Sequence, residues 1–126
     1  MFTFAAAVLS FAGLCASGGA SVDDVYAGDL PNAPGKRLSV VTVTYPPGAK
    51  SAPHRHDAFV FAYVLSGRVR SRVDDGPVRE YAAGQSWTET PNALHAVSEN
   101  ASATEPATFL VVFVAEPGAA LSAPAR

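Results

Sequence analysis

After its first twenty residues, this chain nowhere spaces its apolar side chains at the 3.6-residue period of a helix, and that absence narrows what it can fold into. What recurs is short alternating or apolar runs cut by turn residues. LSVVTVTY is β-branched and alternating, GRVRSRV alternates strictly, and QSWTET alternates again. AFVFAYVL is apolar at both parities, the pattern of a strand buried on both faces. PVREYAAG is a short strand running into a turn, and TFLVVFVA is a final apolar strand, with DDGP and PNAL as turns between runs. Strands at roughly 8–12-residue spacing with turn chemistry between them predict an all-β sandwich or barrel.

Charged residues make up 16% of the 126, with a net charge of −2, too sparse and too balanced for a nucleic-acid binder. Residues 1–20, MFTFAAAVLSFAGLCASGGA, carry no charge and pass from apolar to small. They are expected to be a signal segment cut after Ala20, giving a secreted or periplasmic protein, although no Lys or Arg precedes the apolar run. The run is short for a span of ~20 apolar residues, so no membrane span is expected in the mature chain. Cys15, the single cysteine, lies in this segment, which leaves the mature chain without a disulfide, a thiol nucleophile or a thiolate ligand. Residues 21–37 read as an arm, 38–118 as the barrel and 119–126 as a tail.

The chemistry concentrates in HRHDAFVFAYVLSG. His54 and His56 stand two apart, so in an extended strand both point to one face. Continued parity puts Ala58, Val60, Ala62 and Val64 on the histidine side, and Phe59, Phe61, Tyr63 and Leu65 on the other. The small side is expected to leave room for a cavity, and the large side to fill a core. On spacing alone, His-x-His more often marks two exposed strand histidines. His95, the one other histidine, joins them only through tertiary folding. Three neutral imidazoles together suit Zn, Ni, Fe(II) or Co and leave coordination positions open.

The order of residues resembles the cupin superfamily, in its small single-domain form. Gly48, then AKSAP, then His54 and His56, then Gly67 follows the first motif of that family; Gly84, then QSWTET, Pro91, Asn92 and His95 follows the second, with Asn92 in place of a glycine. The resemblance runs from about Leu38 to Glu116 and implies a jelly-roll, double-stranded β-helix barrel with a divalent metal (Fe, Mn, Ni, Zn or Co) at its mouth. One motif position departs: Val60 stands where the family usually has its glutamate ligand. Either the site is a three-histidine one, or another carboxylate fills in.

Glu89 is the candidate. In SWTET the hydroxyls of Ser86, Thr88 and Thr90 share one face, which puts Trp87 and Glu89 on the inward one. A carboxylate there is a metal ligand, a general base or an anchor for a bound histidine; the alternative is a strand-end residue that reaches solvent. Val60, Ala62 and Trp87 are the expected pocket wall, although an aromatic such as Trp87 in a β core more often serves as packing. Arg68, Arg70 and Arg72 form a solvated stripe, and Asn100-Ala-Ser is a formal glycosylation sequon. Two functions stay open: a metal-dependent enzyme (dioxygenase, isomerase or lyase) on a small organic molecule, or a non-catalytic small-molecule or metal binder. A homodimer is a further expectation of the resemblance.

Overall fold

The computed structural model describes residues 16, 17 and 19–125, and every regular element among them is a strand. In chain order these are β1 (Ala16–Ser17), β2 (Ser21–Asp29), β3 (Arg37–Tyr45), β4 (Lys50–Ser51), β5 (His54–Arg55), β6 (Phe59–Ser66), β7 (Arg68–Val73), β8 (Arg79–Ala82), β9 (Ser86–Glu89), β10 (Leu94–Asn100), β11 (Ala107–Ala115) and β12 (Ala123–Pro124). They form two antiparallel sheets facing each other as a jelly roll. One runs β2-β3-β11-β6-β9. In the other, β10 pairs with β4 and β5 and also with β7, β7 pairs with β8, and β1 and β12 border β4 and β5.

The two inner walls differ chemically. The five-stranded sheet turns in Val41, Val43, Tyr45, Val60, Ala62, Val64, Trp87, Phe109, Val111 and Phe113. The other turns in Ser51, His54, Ser71, His95, Ser98 and Asn100 beside Val69. Buried hydroxyls on the polar wall need partners. Ser51 and Ser98 find one in the Tyr45 hydroxyl, at 2.6 and 2.8 Å. The register of β10 against β7 shifts between His95 and Val97, a β-bulge that lets His95 face inward before it and Ser98 and Asn100 after it. Gly67 closes the β6–β7 turn at φ +74°, where an added Cβ would sit 2.8 Å from Ala107 Cα.

Several expectations change here. β6 is not buried on both faces. Its small side, Val60, Ala62 and Val64, is the core side, whereas Phe59, Tyr63 and Leu65 are 40%, 37% and 47% exposed. Its neighbours in the same sheet already fill the narrow barrel with Tyr45, Trp87, Phe109 and Phe113, so β6 contributes small residues inside and its large ones outside. Residues 21–29, expected in an arm, pair with β3 as an edge strand. Of the expected 119–126 tail, residues 119–125 are part of the fold, with Leu121 in the core and β12 on the sheet, while residue 126 lies outside the described residues. Asn100 of the formal sequon is buried, and its side-chain nitrogen donates to the carbonyls of Tyr45, Pro46 and Glu105, tying down the loop ahead of β11. Of the expected signal segment, residues 1–15 and 18 lie outside the described residues, while Ala16–Ser17 pair with Lys50–Ser51. No helix among the described residues is long and apolar enough to cross a membrane. Arg68 and Arg70 of the arginine stripe pair at the surface, Arg70 with Glu99 at 3.1 Å and Arg68 with Glu80 at 3.7 Å, whereas Arg72 is half-buried, with its Nε enclosed.

Candidate metal centre

β5 and β10 pair in the register that sets His54 opposite His95, and His56 follows two residues after His54. The turn that delivers His95 is fastened to this strand. Asn92 adopts φ +63°, the left-handed conformation for which asparagine is suited where glycine is absent. Its backbone N–H donates to the His56 carbonyl at 2.7 Å, its side chain reaches Asp57 at 3.3 Å, and its own carbonyl accepts from Arg55 at 2.8 Å.

The three histidines are buried, and one ligand atom from each lies within 4.8 Å of the others. His54 Nδ1 donates to the Ala52 carbonyl at 2.7 Å and His56 Nδ1 to the Leu121 carbonyl, which leaves Nε2 of each as the nitrogen with the lone pair. His95 presents Nδ1 to His54 Nε2 at 3.2 Å and Nε2 to Ser71 Oγ at 2.8 Å. Burial holds all three below the ordinary imidazole value, His56 at about 4 and His95 well below that ordinary value. The mutual repulsion of the rings adds to this at His56 and His95. They are therefore neutral at pH 7, the form that ligates metals.

Glu89 faces inward with Trp87, at 3% and 7% exposure. β6 and β9 set Glu89 directly opposite Val60, so a carboxylate stands one strand away from the motif position that lacks it. Glu89 Oε2 accepts from Trp87 Nε1 at 3.2 Å and lies 3.6 Å from His95 Nδ1. That approach is not an ion pair at neutral pH, because burial drives Glu89 up to about 7 and His95 down. Glu89 Oε1 is buried without a hydrogen-bond partner. The residues whose ligand atoms all lie within 4.8 Å of one another are the three histidines; Glu89, expected as a fourth ligand, stands beside that cluster and not within it. Three neutral imidazoles are a donor set that suits a divalent transition ion. Val60, Ala62 and Trp87, expected to wall a ligand pocket, border a cavity of about 20 Å³, room for an ion or a water but not for an organic molecule.

Sequence reasoning missed Tyr45 on the cavity wall, Ser71 behind His95 and Leu121 behind His56. Tyr45 had a signal, since it continues the inward parity of Val41 and Val43; the other two depend on partners distant in the chain.

Residues 41–113 match the profile of the family described as "Cupin domain". No curated protein matches the chain. Among solved structures, a conserved protein with a double-stranded β-helix domain from Klebsiella pneumoniae is 25% identical, with TM-score 0.65 over 87% of each chain. The DMSP lyase DddQ from Ruegeria pomeroyi is 18% identical, with TM-score 0.61 over 69% of this chain and 42% of that one. A variant of the oxalate decarboxylase of B. subtilis is 22% identical, with TM-score 0.59 over 70% and 24%. This chain therefore spans less than half the length of either enzyme, and the likeness to them is one of fold.

The buried site gives the metal-free protein a two-sided pH dependence. Below about 6.5 the unfolded chain binds protons that the buried histidines refuse. Their contribution is thus complete above that pH and is lost on acidification; for His56, falling to about 4, it amounts to about 3 kcal/mol. Glu89 acts in the opposite sense: its contribution is complete below 4.5 and is lost as pH rises through about 7. Urea unfolding without metal should show stability falling from pH 6.5 to 4, with a steeper slope between 4.5 and 7 in Glu89→Gln. A flat profile in the wild type would contradict buried neutral imidazoles.

Proposed function

The chain belongs to the cupin domain family, and we propose that it is a metal-dependent member that acts on a small organic molecule. His54, His56 and His95 hold one divalent transition ion, and Glu89 completes the sphere or stands beside it as a base. The observation that carries this reading is the convergence of three buried, neutral imidazoles within 4.8 Å. The free Glu89 oxygen supports it, as do neighbours of the same fold named as a DMSP lyase and an oxalate decarboxylase. When bound, such an ion supplies Lewis acidity or redox chemistry. The chain supplies the rest. Carbonyls at Nδ1 fix two of the rings, the apolar wall excludes water, and Glu89, near pKa 7 and oriented by Trp87, can take up or return a proton at neutral pH.

The organic ligand is placed outside the small cavity, in a recess of about 310 Å³ between the β7–β8 hairpin and β9. Ser71 and Trp87 form its inner wall and touch His95 and Glu89 from the other side. Arg79 lines it and makes no ion pair among the described residues, which favours an organic anion. The expected homodimer is assigned to the outer face of the five-stranded sheet. There Leu38, Val114 and Phe59, and next to them Val40, Val112 and Phe61, lie side by side across three strands. An apolar patch of this kind calls for a cover, and a second copy offers the matching face.

Wild-type protein prepared metal-replete and without oxygen should carry one ion per chain, and His95→Ala should lose it. Glu89→Gln should keep the ion with about tenfold weaker affinity, roughly 1.4 kcal/mol. A metal-free wild type would end the metalloprotein reading, and a loaded protein inert toward small acids, phenols and thiols would leave a binding protein. Trp87 is the chain's single tryptophan, so its fluorescence should respond to small mono- and dicarboxylates, with Arg79→Ala weakening the response about tenfold. Emission unmoved by any of them removes the recess as the ligand site. Light scattering should find a dimer that Phe61→Arg makes monomeric; a monomeric wild type refutes the assigned face.

A further inference from the structure

We infer that residues 119–125 form a strap that sets His56 as a metal ligand, with the Leu121 main-chain carbonyl as the positioning group. The inference rests on the metal reading above and adds to it a part of the chain outside both histidine motifs.

The two histidines of β5 and its exit are oriented in different ways. His54 Nδ1 donates to the Ala52 carbonyl, two residues back in the link between β4 and β5. His56 Nδ1 donates to Leu121, 65 residues further along. The same crossing makes a series of backbone bonds. The Asp57 N–H donates to the Ala120 carbonyl at 3.1 Å, the Ala125 N–H donates to the Pro53 carbonyl at 3.1 Å, and Ala123 pairs with Arg55. Pro53, Arg55, His56 and Asp57 are thus all held from one side by the strap. From the other side, Asn92 holds the His56 backbone but not its ring. Among the described residues, only the strap's carbonyl fixes which ring nitrogen carries the proton.

The group that does this is backbone, so the side chain at 121 matters as an anchor. Leu121 is the strap's one residue in the buried core, with Ala119 packed partly against it. A segment held by one large apolar side chain and a few edge hydrogen bonds opens locally at less than the cost of global unfolding. Once it opens, the His56 ring loses its orienting acceptor and is free to rotate and to change tautomer. Loss of such an orienting partner typically weakens metal binding 10–100-fold.

The test compares full-length protein with a chain ending at Gly118 and with full-length Leu121→Asp, which removes the anchor but leaves the carbonyl in the chain. Two readouts are taken: zinc affinity by chelator competition, and the ¹⁵N shifts of the His56 ring in metal-free protein. Both altered proteins should bind zinc 10–100-fold more weakly, and His56 should change from an Nδ1–H tautomer to a mixture. Leu121→Ile should restore both. If the shortened chain does not fold, Leu121→Asp decides through the same readouts. Unchanged affinity with an unchanged tautomer in a folded variant overturns the inference. A full-length protein that binds no zinc defeats the metal reading, while the tautomer still reports whether the strap sets the ring.

Discussion

His54 lies opposite His95 across β5 and β10, and the rest of the site depends on that register. A slip of one residue in an antiparallel pair sends every side chain of one strand to the other face. His95 would then leave the barrel, and Ser71 would lose its imidazole partner. The register is held where the chain enters β10, by the left-handed Asn92 and its bonds to His56, Asp57 and Arg55. It is held again at the far end, where Ser98 meets the Tyr45 hydroxyl. Those buried polar contacts tolerate no shift, because a misplaced hydroxyl or imidazole would be left unpaired away from water. A polar wall facing an apolar one therefore fixes a geometry as well as enclosing a site.

Much of this was legible in the sequence where the relevant neighbours lie along one strand. The period of two placed His54 and His56 on one face, and it placed Glu89 inward with Trp87 once the hydroxyls of SWTET were assigned to solvent. Parity divides a strand into two faces but does not say which is the core. For β6 the larger face was expected to be the packed one, and the assignment failed at Phe59, Tyr63 and Leu65. Side-chain size predicts burial when a wall has space to fill; here Phe109 and Phe113 on β11 and Trp87 on β9 already occupied it. Ser71 and Leu121 were out of reach for another reason: each matters through one atom that meets a histidine distant in the chain.

The departure at Val60 is also clearer in the sheet than in the string. Read along β6, the family's carboxylate is missing. Read across to β9, Glu89 stands directly opposite, on the same face, about 5 Å away between Cβ atoms as cross-strand partners are. Cross-strand pairing thus sets a buried acid beside the motif position that lacks one, an adjacency that no linear motif records.

The bulge between His95 and Val97 also bears on how this chain can change over generations. It reverses parity in the middle of β10, so that an odd-numbered histidine and the even-numbered Ser98 and Asn100 share one interior. Removing one residue there would straighten the strand and force a choice. Either His95 stays with its imidazole partners and the Tyr45 and loop contacts turn out to solvent, or the reverse. Adding one residue poses the same choice. β10 can therefore drift by substitution at its outward positions, but its length is fixed, and lineages that keep the histidine must keep the count.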